Sequence, residues 1–259
     1  MARFSLLTFN VLGVPKQMPE TQYHKRISHI FNEVVRLHPT IVAFQEVPVS
    51  DLDRVVGLAH ELSYQVSITD KKEIVHDGKV PEICCVTLSR IKCNFQTYYL
   101  PFSLNNLDYH AVLMSALGIQ VLNVHLQHGA NNQDIRTRQL SYLKESILKP
   151  GQEVILCGDF NIDFSRLTLP ASFTGCFEST YDVVNELGGG LLTQDIMNPL
   201  YARLKPSGIC KQPDNIFLLN KDNLEVKSCS LQMVEIPGVH EVLNYSDHYG
   251  LLCDFQKSD

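Results

Sequence analysis

The chain is 259 residues long, enough for one layered core that needs no disulfide or metal staple. Its 44% hydrophobic and 19% charged residues exclude a disordered chain, and its net charge of −6 excludes a protein that coats nucleic acid through bulk electrostatics. That balance still allows an enzyme that handles a few phosphates in a local site.

In chain order, Phe4 to Thr8 alternates as a strand and runs on to Asn10. Ile27, Ile30, Phe31, Val34 and Leu37 fall at helical spacing, which predicts a helix from Tyr23 to Leu37 with Thr21 as cap and Pro39 closing it. Ile41 to Phe44 is a short buried strand that ends on Gln45 and Glu46. A second helix follows from Asp51 to Leu62, capped by Ser50 or Asp51. The middle is rich in strands: Tyr64 to Thr69, Ile83 to Leu88, Phe95 to Leu100, Ala111 to Leu117 and Gln120 to Val124, the last two joined by a tight turn at Gly118. A helix from Gln133 to Leu148 carries Leu140, Leu143 and Ile147 on one face and stops at Pro150-Gly151. Val154 to Cys157 is another buried strand, Gly188 to Gly190 marks a loop, and Asn215–Leu219, Val226–Val234 and Tyr249–Phe255 read as strands. No Pro-, Gly- or Ser-rich linker divides the chain, so residues 1–259 are expected to form a single domain.

The eight cysteines are Cys84, Cys85, Cys93, Cys157, Cys176, Cys210, Cys229 and Cys253. None makes a Cys-x-x-Cys pair, which argues against a zinc knuckle, and several sit in apolar runs as small hydrophobes. A reduced chain without disulfides is expected. The N-terminus lacks a signal-peptide pattern and no stretch approaches the ~20 apolar residues of a membrane span, so the expected compartment is the cytoplasm.

One repetition stands out. Strand, helix, strand occurs from Phe4 to Glu46 and again from Val121 to Asn161, with 36 residues from Asn10 to Glu46 and 34 from His125 to Asp159. Both copies would deliver polar side chains to one edge of packed sheets, where sites of α/β proteins gather. Taken singly, each polar residue has a plainer reading. Gly158-Asp159-Phe160-Asn161 is a common turn composition, Asp214 and Ser246-Asp247-His248 can cap strands, and a histidine such as His125 is ordinarily structural.

Together, Asn10, Gln45-Glu46, His125, Gly158-Asp159-Phe160-Asn161, Asp214 and Ser246-Asp247-His248 resemble, in order and context, the endonuclease/exonuclease/phosphatase superfamily. The resemblance runs from Phe4 to Phe255. It implies an α/β (α+β) fold, a four-layer αββα sandwich of two mainly antiparallel sheets flanked by helices. It also implies an enzyme, a metal-dependent hydrolase of phosphate esters. Glu46 would bind Mg2+, with Mn2+ as a possible substitute, assisted by Asn10 and Asp247. His248 would act on water as general base or polarise the phosphate, oriented by Asp214. Asp159 and Asn161 would position nucleophile and phosphoryl oxygens, and His125 would steady the transition state. Oxygen ligands in an incomplete cage suit magnesium, which keeps waters and binds substrate phosphate.

His125-Leu126-Gln127 with Ile135-Arg136 and Gln139-Leu140 looks most like the sphingomyelinase branch. Thr193, Asp195 and Asn198 also fit the tyrosyl-DNA phosphodiesterases. The expected substrate is therefore a phosphodiester, either a lipid headgroup as in a sphingomyelinase-like enzyme or nucleic acid. Tyr98, Tyr99, Leu100, Phe102 and Leu104 would give peripheral membrane contact, or else pack inward as a strand and hairpin. No obligate protein partner is evident. A binding module without catalysis is the alternative from another class, set against the presence of every acidic and imidazole position.

Overall fold

The alternation that marks each strand in the sequence sorts its side chains to two faces, and the computed structural model shows what those faces meet. It describes residues 1–13, 22–104, 109–149, 151–164, 178–179, 192–195, 197–205, 208–233, 236 and 244–258. The first sheet holds β1 (Ala2–Asn10), β2 (Ile41–Pro48), β3 (Gln65–Val66), β4 (Ile83–Ser89), β11 (Leu224–Gln232) and β12 (Gly250–Lys257), in the order β11-β12-β1-β2-β4-β3. The second holds β5 (Asn94–Tyr99), β6 (His110–Ala116), β7 (Ile119–His125), β8 (Glu153–Asp159), β9 (Glu178–Ser179) and β10 (Asp214–Leu219), in the order β5-β6-β7-β8-β10-β9. Each sheet has one parallel pair, β1 with β2 and β7 with β8, in an otherwise antiparallel arrangement.

Those two pairs are the repeated units of the sequence. A parallel pair needs a crossover, supplied by α1 (Tyr23–Leu37) in the first and α3 (Gln133–Tyr142) in the second. Leu7, Phe9, Val42 and Phe44 point outward onto Ile27, Ile30 and Val34 of α1 and Val55 of α2 (Leu52–Glu61). Leu122, Val124 and Leu156 point outward onto Leu140 and Leu143 of the α3 segment. The opposite parity, Leu6, Ile41, Ala43, Val121, Ile155, Cys157 and Ile216, packs between the sheets. Helix, sheet, sheet, helix is the four-layer sandwich the resemblance implies. Each fully buried Leu or Ile stabilises it by about 1.5–3 kcal/mol.

The outcome differs from the sequence reading at several ends. Thr21 lies outside the described residues, and α1 is entered through Gln22 in the left-handed region (φ 48°) without a side-chain cap. Asp51 precedes α2 but makes no capping bond. The third helix runs to Tyr142 and then widens into a π turn over Leu143–Ile147, which keeps Leu143 and Ile147 buried. The strand expected over Tyr64–Thr69 is only Gln65–Val66, and Gly188–Gly190 and Val234 lie outside the described residues. A short helix, α4 (Pro199–Leu204), was not expected, although Asn198-Pro199 is a readable start signal: Asn198 Oδ1 accepts from Leu200 N (3.0 Å) and Tyr201 N (3.2 Å).

Contrary to the expectation of a chain without disulfides, Cys229 and Cys253 are joined. They are directly paired on β11 and β12, with Cα atoms 4.1 Å apart, and strand register rather than sequence spacing brings them together. Tyr98 and Leu100 pack inward against the second core, while Phe102 and Leu104 are exposed and the Arg138 guanidinium lies over the Phe102 ring. Among the described residues no helix is long and apolar enough to cross a membrane.

Candidate active site

The inward parity that fills the core with Leu6, Val121, Ile155 and Ile216 turns polar at one end of the sheets. On β1 it ends at Thr8 and Asn10, on β7 at Asn123 and His125, on β8 at Asp159, and on β10 it begins at Asp214; all are buried. A hydrogen-bonded layer closes the apolar core beneath them. Gln45 Nε2 donates to Asn123 Oδ1 (2.8 Å) and Thr8 Oγ1 (3.1 Å), and Asn123 Nδ2 donates to Phe44 O (3.1 Å) and Thr87 Oγ1 (3.2 Å). Such pairing is what lets amides persist in a core. It also ties the two sheets together directly under the site. Asn123, a polar interruption of inward parity, was legible in the sequence but not singled out.

Glu46 reaches the site by a different route. Strict alternation would send it to the helix side. Between Phe44 and Val47 the pairing of β2 with β4 slips by a bulge, and Glu46 takes φ 56°, so Gln45 and Glu46 both face inward while Phe44 and Val47 both face the helices. Gly13 packs on its backbone so closely that a Cβ there would lie 1.8 Å from Glu46 O.

Gly158 is demanded by close approach rather than by the turn expected from the sequence. A Cβ would lie 2.0 Å from Val124 O, and φ is 135°. Beyond it, Asp159 Oδ1 accepts from Asn161 N (2.8 Å), so the turn reading of this motif is also correct. Asp159 Oδ2 is left to face the site. Asn161, at φ 52°, donates its amide to Leu126 O (2.9 Å).

Asn10, Glu46, His125, Asp214 and His248 gather about the Asp159 carboxylate, Asp247 joins them beside His248, and Asn161 N binds Asp159 Oδ1. Asn10 Nδ2 donates to Asp159 Oδ2 (3.0 Å) and Glu46 Oε1 (3.1 Å), while its own oxygen is taken by Leu12 N (2.9 Å). His125 Nε2 stands 3.8 Å from Glu46 Oε1 and 3.7 Å from Asp159 Oδ2. His248 Nε2 stands 3.9 Å from both Asp159 Oδ2 and Asp247 Oδ1, and its Nδ1 pairs with Asp214 Oδ2 at 2.7 Å. Glu82, at the end of the loop before the strand Ile83–Ser89, is exposed, and the carboxylates that face His125 are Glu46 and Asp159.

Residues beyond the eight expected ones hold this arrangement: Thr193, Asn198, Arg136 and Gln139, which the sequence offered only as marks of a branch, and Gln194 and Tyr109, which it did not flag. The Gln194 side-chain amide lies 2.6 Å from His248 Nε2, a contact that a charged ring can make only to the amide oxygen, Thr193 accepts from Tyr249 N and Asp214 N, and Asn198 donates to Ser246 O (2.9 Å). Thr193 and Asn198 thus scaffold the Asp214–His248 pair, and Asp195 accepts from Met197 N and Asn198 N within its own turn. Tyr109 meets the His125 ring edge-on at 5.0 Å between centroids. Gln139 and Arg136 bind the backbone of the loop after His125, Gln139 Oε1 to Gln127 N (3.0 Å) and Arg136 Nη1 to Gln127 O (2.9 Å).

The charges do not balance. Burial raises the Glu46 carboxyl, helped by Asp247, against His125 and Asn10. Burial and then Asp214 push Asp159 well above the usual carboxylate range. Burial presses His125 down to about 4, so its imidazole is neutral. Burial also opposes charge on His248, but Asp214 and Asp247 outweigh it and hold the ring well above an ordinary histidine. Four carboxyl groups thus crowd around one imidazolium, and burial makes two of them, Glu46 and Asp159, resist ionising unless a cation joins them. Oxygen-rich donors with surplus negative charge in a partly open cage fit a divalent cation such as magnesium. Glu46, His125 and Asp159 form one cluster with ligand atoms within 4.8 Å of one another, and Asp159, Asp214 and His248 form a second.

Comparison with known proteins agrees with the geometry. The profile of the Endonuclease/Exonuclease/phosphatase family matches residues 7–248. No curated protein matches the chain in sequence. Among solved structures, D. rerio TDP2 complexed with single-strand DNA product superposes with a TM-score of 0.73 at 17% identity, covering 99% of this chain and 100% of that one. The human Nocturnin catalytic domain with bound sulfate anion gives 0.67 at 20% identity, covering 99% and 94%. An endonuclease/exonuclease/phosphatase from Bacteroides vulgatus gives 0.73 at 17% identity, covering both chains fully. At these identities the likeness is one of fold.

Proposed function

Because the chain belongs to the Endonuclease/Exonuclease/phosphatase family, we propose that it is a divalent-metal-dependent phosphodiesterase whose substrate is nucleic acid. The observation that carries the reading is the 2.7 Å Asp214–His248 pair turned toward the same opening as Asp159 and Glu46. Mg2+, or Mn2+ in its place, would be held by Glu46 with Asp247, Asn10 orienting the Glu46 carboxylate. The ion would neutralise charge on the phosphoryl group and leaving oxygen.

The chain's own residues divide the remaining work. His248, kept charged and oriented through Nδ1 by Asp214, donates from Nε2 to a phosphoryl oxygen. Of the two roles open to it, polarising the phosphate suits a ring whose pKa is raised. Asp159, a carboxylate with raised proton affinity, is then the group that takes a proton from the attacking water. Asn161, its amide nitrogen anchored on Leu126 O, presents its side-chain oxygen to that water. His125 stands as a neutral donor toward the developing charge.

Nucleic acid is preferred over a lipid headgroup for two reasons. The TDP2 of D. rerio, of the same fold, was captured with a single-strand DNA product. Of the residues that resembled the sphingomyelinase branch, Arg136 and Gln139 turn their side chains onto the Gln127 backbone, a structural role that does not speak for a lipid. The test is hydrolysis of 5′-phosphotyrosyl DNA, single-stranded DNA, single-stranded RNA and sphingomyelin vesicles, each with magnesium and with chelator. Magnesium-dependent cleavage of a nucleic acid is expected. Cleavage of sphingomyelin alone would reverse the substrate, and cleavage of none would leave a binding module.

A further inference from the structure

Among the described residues Arg26 is the largest fully buried side chain, and backbone carbonyls meet its guanidinium. Nη1 donates to Val11 O (2.8 Å) and Tyr245 O (2.6 Å), and Nη2 to Leu12 O (2.7 Å). Val11 and Leu12 lie directly after Asn10, in the loop that presses Gly13 onto the Glu46 backbone, and Leu12 N holds the Asn10 carboxamide. Tyr245 stands two residues before Asp247. One guanidinium therefore ties the loop after Asn10, the residue that orients Glu46, to the loop that carries Asp247, more than 200 residues away. Its charge is also felt by Asp247 and Glu46.

The second half of the molecule repeats the device. Arg26 is the fourth residue of α1 and Arg136 the fourth residue of α3. Arg136 is buried as well, and its Nη1 donates to Gln127 O (2.9 Å) and Gly129 O (2.7 Å), in the loop directly after His125. In both halves a helix arginine turns back on the loop that joins its helix to the preceding strand. Two independent occurrences at the same helical position mark a constraint of the site rather than an accident of packing. A buried charge is costly, and an apolar side chain would fill either space more cheaply. What the guanidinium adds is a rigid fork able to hold several carbonyls at fixed angles.

Resting on the proposed phosphodiesterase reading, we infer that Arg26 is a positioning residue that locks the Asn10 and Asp247 loops into one metal-binding geometry, with Arg136 its counterpart for the His125 loop. The test uses the full chain with Arg26→Met, Arg26→Lys and Arg136→Met. Two quantities are read: amide hydrogen exchange by segment, and the magnesium concentration for half-maximal cleavage of bis-p-nitrophenyl phosphate. In Arg26→Met, residues 11–13 and 244–248 should both exchange at least about tenfold faster, the equivalent of one lost charge-assisted hydrogen bond. The strand and helix around Asp159 and Leu140 should keep wild-type rates. Half-saturation by magnesium should rise by a similar factor while KM for the ester stays put. Arg26→Lys, too short a fork to hold both loops, should loosen at least one of them, and it serves where the methionine variant does not fold. Arg136→Met should loosen residues 126–129 and leave 244–248 unchanged. Wild-type exchange at 244–248 in the Arg26 variants, or uniform acceleration along the whole chain, would overturn the inference. The exchange measurement needs no activity, so a wild-type chain inactive on every ester would refute the proposed function and still leave the arginine to be judged.

Discussion

The Asp214–His248 pair offers the sharpest test of the proposed chemistry. Both side chains are buried, and the 2.7 Å bond joins a carboxylate to an imidazole that the same carboxylate keeps charged. The second oxygen, Asp214 Oδ1, is buried and has no hydrogen-bond partner among the described residues, so His248 is the carboxylate's one side-chain hydrogen bond among them. Asp214→Asn keeps the shape and removes the charge. A charge-assisted bond of this kind contributes about 1.5–3 kcal/mol, or about 10- to 150-fold in kcat if it acts only in the transition state. His248→Ala removes the donor itself and should cost about 10²–10⁴-fold. KM for bis-p-nitrophenyl phosphate at saturating magnesium should change little in either variant. The double variant should be little slower than His248→Ala, because Asp214 works only through the ring. The pH profile adds a second reading. With an imidazolium as the working form, activity falls as pH rises through its pKa, and without Asp214 that fall should begin at lower pH. Multiplicative losses in the double variant, with an unmoved alkaline limb, would refute the reasoning and return Asp214 to a strand-end role.

Other outcomes follow from the same geometry. Glu46→Ala should abolish magnesium-dependent turnover with the fold intact by circular dichroism; undiminished turnover at limiting magnesium would remove Glu46 from the metal. In metal-free protein, the raised Glu46 and Asp159 carboxyls contribute stability that is complete below the unfolded value near about 4 and lost as pH rises through their folded values. Thermal melts should therefore show Tm falling as pH climbs across that window, with magnesium restoring more at pH 8 than at pH 5; a flat difference would mean that the ion binds elsewhere. Gly158→Ala should cost about 2–5 kcal/mol in urea unfolding, since its Cβ meets Val124 O and its φ suits glycine; a loss under 1 kcal/mol would show that β7 and β8 can part there.

Much of this protein was written locally. Period-two alternation in Leu6–Asn10, Val121–His125 and Ile155–Asp159 determined both which face was apolar and that polar side chains ended each strand on that same face, because a strand's side-chain direction depends only on parity. The nearly equal spacing of the two strand–helix–strand units, 36 and 34 residues, carried the pseudo-symmetry of the sheets, since each parallel pair needs a crossover.

Tertiary structure decided what depends on pairing between distant segments. The slip of β2 against β4 that turns Glu46 inward exists only in the register between the two strands. Gly158 looked like a turn residue until β7 was laid beside it. The Cys229–Cys253 contact follows from β11 meeting β12. Arg26, read along α1, is one more charged residue of an amphipathic helix. It is buried because its donors find carbonyls of two loops, one of them 219 residues away, and no local pattern records where a folded chain will bring an unpaired carbonyl.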